Sequence, residues 1–249
     1  MKNHDPIRYL KNQFDFKSDF LFSELSKEEV NRIRSSFEPI RFKKGSKLFY
    51  EDGIPTGVFL IESGLTKKFK TVMGGNEQIF YIYTNGDLLG YHALLSNERY
   101  QDTCEAIEDT KANFISKENF LKLLDNIPVL KENLLRNLAH EFGVLANTIG
   151  ILAQKTQNVR LALFLLIVEE RYRKYDHLKG GIRLSRFDLA NLIGATRESL
   201  GRSLKEFKEK GLISIESKAI RITNYERLFA ILKREGSNQM WLNEQNLRR

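Results

Sequence analysis

The sequence predicts an α+β protein with three parts in chain order: a small antiparallel β barrel or sandwich, a long helix, and a winged helix-turn-helix. Three observations predict this order. Short apolar runs separated by glycines fill residues 41–120, a heptad spacing of apolar residues covers 135–152, and a helix-turn-helix spacing followed by a hairpin covers 184–222. The predicted domains are therefore residues 1–128, 129–156 and 157–249.

The composition is that of a globular protein in the cytoplasm. Of 249 residues, 41% are hydrophobic and 29% charged, and the net charge of +8 favours an anionic partner such as nucleic acid. No apolar run reaches the roughly 18 residues that a membrane span needs, and the N-terminus has no apolar signal-peptide core. The single cysteine, Cys104, excludes an internal disulfide and a multi-cysteine metal site, and we expect it to be packed.

The first part reads as short strands with turns between them. Val58–Ile61 and Gln78–Tyr83 are apolar or alternating runs typical of strands with one face on a core. The glycines between such runs come at the intervals of a small barrel or sandwich: Gly45, Gly53, Gly57, Gly64 and Gly86.

The second part predicts a dimerisation helix. Its apolar residues are spaced 3, 4, 3, 4 and 3 apart: Leu135, Leu138, Phe142, Leu145, Ile149 and Leu152. An amphipathic helix packed on its own β domain is the alternative, but it would show a wider apolar stripe. The regular alternation favours pairing with a second copy, as in a C2 homodimer.

The third part has the pattern of a helix-turn-helix. Ser185 is placed to cap a first helix, Gly194 to make the turn, and Thr196 to cap a second helix. Ala190 and Leu200 complete the spacing, because a small residue lets the helices approach and a leucine joins the second helix to the first. Two short alternating strands around 216–218 follow, which predicts a wing, and residues 225–233 have the length of one more helix.

The exposed side of the second helix indicates DNA recognition. Glu198 and Arg202 are four residues apart and so share a face, with Arg197 beside them. Arginine can pair with guanine O6 and N7 in the major groove, and glutamate can accept from cytosine N4. The alternative is a solvated Glu–Arg pair, which is common on helix surfaces.

These residues resemble the Crp–Fnr family of bacterial transcription regulators over about residues 38–223. The segments that carry the resemblance are KKGSKLFYEDGIPTGVFLIESGLTKKF, GGNEQI and NGDLLGYHAL in the β half, and LSRFDLANLIGATRESLGRSLKEFKEKGLI in the C-terminal half. The resemblance implies a double-stranded β-helix (jelly-roll) sensor, no enzymatic activity, TGTGA-like half-sites in an inverted repeat, and RNA polymerase as a partner besides double-stranded DNA and a second copy. The DNA-binding residues that it implies are Ser185, Thr196, Arg197, Glu198, Ser199, Gly201, Arg202, Lys205 and Lys218.

The sensor departs from the pattern of the family's cyclic-nucleotide binders. Where those carry Gly-Glu-Leu, this chain has Gly90, Tyr91 and His92, and where they carry the phosphate-binding Arg-Ser it has Tyr100 and Gln101. Together with Arg99, these residues form the effector pocket that the resemblance implies. A desolvated phosphate needs a charged partner, so we predict that cyclic AMP is not the effector and that no cofactor is held.

Three alternatives stay open for the sensor. In the first, Arg99 replaces the phosphate-binding arginine and the chain is a cyclic-nucleotide-responsive module. In the second, His92 ligates a haem, as the resemblance to the family's carbon monoxide sensors would imply. In the third, the roll binds another, unknown small molecule, or it is degenerate and binds nothing at all.

Overall fold

The computed structural model of the chain describes residues 10, 13–16, 21–72, 75–174 and 181–235. They form two compact units, one between residues 15 and 145 and the other from residue 146 onward, together with residues 10, 13 and 14. The boundary lies within the long helix, and the predicted separation of 129–156 as its own domain remains a prediction. None of the helices in the described ranges is long and apolar enough to cross a membrane.

The first unit is a jelly roll, as predicted. Helix α1 (Lys27–Ser35) precedes two four-stranded antiparallel sheets, ordered β1-β8-β3-β6 and β2-β7-β4-β5. Their strands are β1 (Glu38–Phe42), β2 (Lys47–Phe49), β3 (Gly57–Ser63), β4 (Thr66–Thr71), β5 (Glu77–Tyr83), β6 (Leu88–Leu89), β7 (Thr103–Ala106) and β8 (Thr110–Ser116). Two further helices are α2 (Tyr91–Ser96) and α3 (Lys117–Asn126). The predicted strands Val58–Ile61 and Gln78–Tyr83 lie in β3 and β5.

Gly57 marks a close approach within the first sheet. It pairs with Ser116 of β8, and a Cβ at residue 57 would overlap the carbonyl oxygen of Ile115 and lie 2.5 Å from the ring of Phe114. Because both strands are held by ladder hydrogen bonds, neither can move away cheaply. A residue without a side chain is therefore required here.

The long helix α4 (Pro128–Gln154) has 27 residues and two different apolar lines. One line is covered by the chain itself and contains Leu130, Leu134, Val144 and Ile151, each at most 2% exposed. On the other side Leu135, Phe142 and Ile149 are 68%, 76% and 65% exposed, while Leu138, Leu145 and Leu152 are half-buried between the two lines.

The two interpretations of the pattern, a dimerisation helix and an amphipathic helix packed on its own chain, therefore each describe one side of α4. The helix packs on its own chain through a line that the heptad of 135–152 did not include. The predicted heptad forms a separate, largely uncovered line.

The second unit contains the predicted winged helix-turn-helix. Its elements are α5 (Gln157–Lys174), α6 (Arg186–Ile193), α7 (Arg197–Glu209), the antiparallel hairpin of β9 (Ile213–Glu216) and β10 (Ala219–Ile222), and α8 (Tyr225–Glu235). Ile182 forms an isolated bridge to Ile220 and so extends the hairpin. The last helix was predicted from 225 to 233 and extends two residues further.

Replacing Gly57 by Ala should lower the free energy of unfolding by about 1–3 kcal/mol or more, because the added methyl group overpacks a fixed strand pair. Gly201→Ala is the control with the opposite sign. Residue 201 is helical and its Cβ would meet nothing within 4 Å, so this exchange should stabilise by about 0.5–1 kcal/mol. Chemical denaturation of both variants tests the difference, and equal stabilities would contradict the close approach at Gly57.

Candidate nucleic-acid interface and effector slot

The helix-turn-helix is fixed by two side-chain caps and a left-handed glycine. Ser185 Oγ accepts a hydrogen bond from the Asp188 backbone N at 2.9 Å, and Thr196 Oγ1 accepts one from the Ser199 N at 3.2 Å. Gly194 ends α6 with φ of 63°, a conformation that is cheap only for glycine. The predicted start of each helix and the turn between them are thus confirmed.

The buried side of α7 consists of the predicted apolar residues. Leu200, Leu204 and Phe207 are at most 3% exposed, and Ala190 of α6 is 1% exposed opposite them. With this side buried, the remaining side of α7 faces outward. Helix α7 can therefore present residues to the major groove of DNA only through that outer side.

The outer side carries the three predicted base-reading residues, Arg197, Glu198 and Arg202, and all three are exposed. Gly201 and Lys205, which were predicted to bind DNA, are exposed on the same helix. Arg202 Nη1 lies 2.6 Å from Glu198 Oε1, and both side chains are solvated. An exposed ion pair at this spacing contributes only about 0.3–0.5 kcal/mol to stability. Breaking it so that both side chains can contact bases therefore costs little.

Ser199 differs from the other predicted DNA-binding residues in its burial. It is half-buried, and its hydroxyl donates to Gln157 Oε1 on α5 at 2.5 Å. Adjacent residues of a helix point about 100° apart, so Ser199 faces α5 while Glu198 faces outward. The predicted contact of Ser199 with DNA remains a prediction.

The role of Arg160 was not identified from the sequence. Its guanidinium donates to the carbonyls of Leu152 and Lys155 at the end of α4, at 3.1 Å each, and to the carbonyl of Gly194 at 3.2 Å. One side chain thus joins the last turn of the long helix to the turn of the helix-turn-helix. The available signal was an arginine in the first turn of a helix that is apolar from 161 to 168.

The wing ends in a strained two-residue turn. Glu216 pairs with Ala219, and the intervening Ser217 and Lys218 have φ of 47° and 69°. Positive φ at both central positions defines a type I′ turn, which favours Asn-Gly. Lys218 adopts this left-handed conformation at a cost in free energy. Its charge lies at the exposed tip of the wing, where Lys218 was predicted to bind DNA.

The predicted effector residues Arg99, Tyr100 and Gln101 separate in the structure. Tyr100 is 5% exposed and stacks on Phe49 with ring centroids 4.1 Å apart. Arg99 is exposed and donates to the Asp52 carbonyl at 2.6 Å, while Gln101 donates to Glu98 at the surface. A neutral ring therefore enters the roll at the position where the family's cyclic-nucleotide binders have the phosphate-binding arginine, and burial raises the pKa of Tyr100 to about 12.

Two residues of the Gly90-Tyr91-His92 segment, Tyr91 and His92, also contact side chains of the protein itself. Tyr91 is fully buried, donates to Glu141 Oε1 at 2.5 Å and accepts from Asn137 Nδ2 at 2.8 Å. Burial, followed by the Glu141 charge, raises its pKa well above the usual range. His92 Nε2 lies 2.6 Å from Glu141 Oε2, so its imidazole already has a partner, which does not favour haem ligation.

Aromatic side chains pack against one another in the buried core of the roll. Phe16 stacks on Tyr81 with centroids 3.9 Å apart, and Tyr81 donates to the Asp15 carboxylate at 2.6 Å. Cys104 is fully buried in the same cluster, as predicted, and burial raises its pKa to about 12. No group of three or more metal-ligating side chains occurs in the described part of the chain.

Comparison with known proteins agrees with this architecture. A family model described as cyclic nucleotide-binding domain matches residues 39–126, and one described as Crp-like helix-turn-helix domain matches residues 159–231. Transcriptional activator protein anr of Pseudomonas aeruginosa is 31% identical over 192 residues, which cover 76% of this chain and 78% of that protein. Cyclic AMP receptor protein of Thermus thermophilus is 26% identical over 208 residues, covering 80% and 90%.

A solved structure shows the same fold. FixK2 from Bradyrhizobium japonicum superposes with a TM-score of 0.70 at 23% identity, covering 78% of this chain and 96% of that one. The match to the Crp-like helix-turn-helix model and the relatives named as transcriptional activators identify the class as a DNA-binding transcription regulator. The chain belongs to the Crp–Fnr family. Two of its relatives are named as transcriptional activators and one as a regulatory protein, in agreement with the prediction that it is not an enzyme.

Lys218→Gly should have two separable effects. Glycine takes the left-handed turn conformation without strain, so the free energy of unfolding should rise by about 0.5–1 kcal/mol. The loss of one charge at the wing tip should lower the slope of log affinity against log salt by about 0.9 per protomer. Denaturation and salt-dependent DNA titrations measure the two effects. An unchanged salt slope would show that the wing tip does not contact phosphate.

Proposed function

We propose that this chain is a homodimeric transcription regulator that reads an inverted-repeat operator with TGTGA-like half-sites. The observation that carries the proposal is the outer side of α7, where Arg197, Glu198 and Arg202 are exposed on the first turns of a helix whose other side is buried. Side chains at that end of a helix-turn-helix reach base edges in the major groove. Thr196, Lys205 and Lys218 are exposed around them and would contact the backbone.

Dimerisation is supported by the uncovered line on α4. Leu135, Phe142 and Ile149 repeat every seven residues on one side, and each leaves about two thirds or more of its surface in water. Heptad spacing brings such a line against the same line of a second helix. A C2 dimer would place two copies of α7 on two half-sites related by the same axis.

The roll is proposed not to bind a cyclic nucleotide. Tyr100 fills the expected phosphate position as a neutral group, and Tyr91 replaces the expected carboxylate with a hydroxyl already bonded to Glu141. The alternative based on Arg99 receives no support, because that side chain is exposed and bonded to Asp52. The protein is therefore proposed to bind DNA without a cyclic nucleotide.

A third partner, besides DNA and a second copy, is proposed from the relatives of this chain. Relatives are named as transcriptional activators, and an activator must reach the transcription machinery from its operator. We propose RNA polymerase as that partner and the cytoplasm as the place of action, since both polymerase and promoter DNA are there in bacteria.

Arg202→Ala should weaken binding to the selected operator by about 1–3 kcal/mol per half-site and relax the preference for guanine, because it removes a bidentate base contact. Fluorescence anisotropy with the operator and with a guanine-substituted operator measures both effects. The matched control is Lys122→Ala, which breaks an exposed i,i+4 pair of the same 2.6 Å length with Glu118 in the other unit. Equal losses in the two variants would contradict base reading by Arg202.

Phe142→Asp should separate the protomers, because it puts a charge into the proposed apolar interface. Affinity for a two-half-site operator should fall about 100-fold or more as avidity is lost, while affinity for one half-site should stay unchanged. Phe142 is a cleaner target than Leu145, which also packs against the core of the roll. Ile54→Asp, at a side chain 69% exposed in the roll, is the control. Sedimentation showing an intact dimer of the Phe142 variant would reject this interface.

A further inference from the structure

The first turn of α5 is joined to the side of α7 by a set of hydrogen bonds, here called the α5–α7 polar seam and formed by Gln157, Asn158, Ser199, Ser203 and Glu206. We propose that Gln157 and Asn158 are positioning residues for DNA recognition. They fix the rotation of α7 about its own axis, and sequence discrimination depends on that rotation. The inference rests on the proposed base reading by Arg197, Glu198 and Arg202.

Gln157 uses both ends of its amide. Its Nε2 donates to the Ser199 carbonyl at 2.9 Å and to Ser203 Oγ at 2.7 Å, and its Oε1 accepts from Ser199 Oγ at 2.5 Å. A glutamine amide offers two donors and one acceptor oxygen, and all three are engaged on one turn of α7. The Gln157 side chain therefore matches three hydrogen-bonding groups of α7 in one orientation of the two helices.

Asn158 continues the seam one turn further. Its Oδ1 accepts from Ser203 Oγ at 2.7 Å, and its Nδ2 donates to Glu206 Oε2 at 3.1 Å. Lys210 in turn donates to Glu206 Oε1 at 2.5 Å. Ser203 accepts from one amide and donates to the next, so the bonds form a chain with a defined direction.

The α5–α7 polar seam restrains the rotation of α7, which the apolar side of the helix does not. Leu200, Leu204 and Phe207 hold α7 against the domain, but apolar contact is not directional and permits small rotations. Hydrogen bonds weaken steeply when their angles change. A rotation of about 20° would move an atom about 6 Å from the helix axis by about 2 Å, given the radius of a helix with its side chains. That displacement is enough to break the seam.

The same displacement would separate Arg202 from a base edge. Residues 198 and 202 on the outer side directly precede 199 and 203 of the seam, so the two sets are on the same turns. Bidentate base contacts need close alignment, whereas contacts of flexible lysines with phosphates adapt to small shifts. Loss of the seam should therefore reduce discrimination between sequences and leave the number of phosphate contacts unchanged.

The test compares Gln157→Ala, Ser199→Ala and Ser199→Thr in the full chain. Each is titrated with the selected operator and with an operator whose recognised guanines are replaced, over a range of salt concentrations. Gln157→Ala and Ser199→Ala should lower the ratio of the two affinities by about five- to tenfold, with the salt slope of the wild type. Ser199→Thr keeps the hydroxyl and should keep the wild-type ratio.

Asn224→Ala is the control for stability. The Asn224 side chain accepts from the Arg227 N at the start of α8 and takes no part in the seam, so its loss lowers stability without touching α7. A reduced ratio in this control equal to that of Gln157→Ala would overturn the inference. So would a wild-type ratio in Gln157→Ala, or a Ser199→Thr variant as impaired as Ser199→Ala. A wild-type protein with no sequence preference would instead overturn the proposed function.

Discussion

The proposed function depends on one constraint, which is that α4 has apolar residues on two sides and the described part of the chain covers only one of them. Leaving Leu135, Phe142 and Ile149 in water forgoes roughly 1.5–3 kcal/mol for each side chain. The partner that we propose for this second side is the same helix of a second copy, whose spacing matches. The pairing that we propose would set the distance between two recognition helices and thereby the form of the operator.

The roll matches the model of a cyclic nucleotide-binding domain, and its buried core contains stacked aromatic side chains. Phe16 stacks on Tyr81 and Tyr100 stacks on Phe49, and the Glu141 carboxylate contacts both Tyr91 and His92. A bound effector normally adds contacts that favour one conformation. Here the chain itself supplies contacts of that kind, which is consistent with a regulator that needs no cyclic nucleotide.

The sequence predicted those parts that leave a periodic or local signal. The strands, the heptad of α4, the caps at Ser185 and Thr196 and the wing all follow from spacing or turn chemistry. The seam between Gln157 and Ser199 joins residues 42 positions apart and leaves no period, although Ser199 and Ser203 stand one residue before the apolar line of α7. The placement of Arg99 and Tyr100 could not be predicted either, because neighbouring residues of an extended segment face opposite sides and a one-residue slip exchanges them.

The most direct measurement is the selection of bound DNA from a random library by the purified full chain, with and without cyclic AMP. Both selections should yield the same inverted repeat with TGTGA-like halves. The proposed function is wrong if the selection yields unrelated sequence, a single half-site without symmetry, or an operator only when cyclic AMP is added.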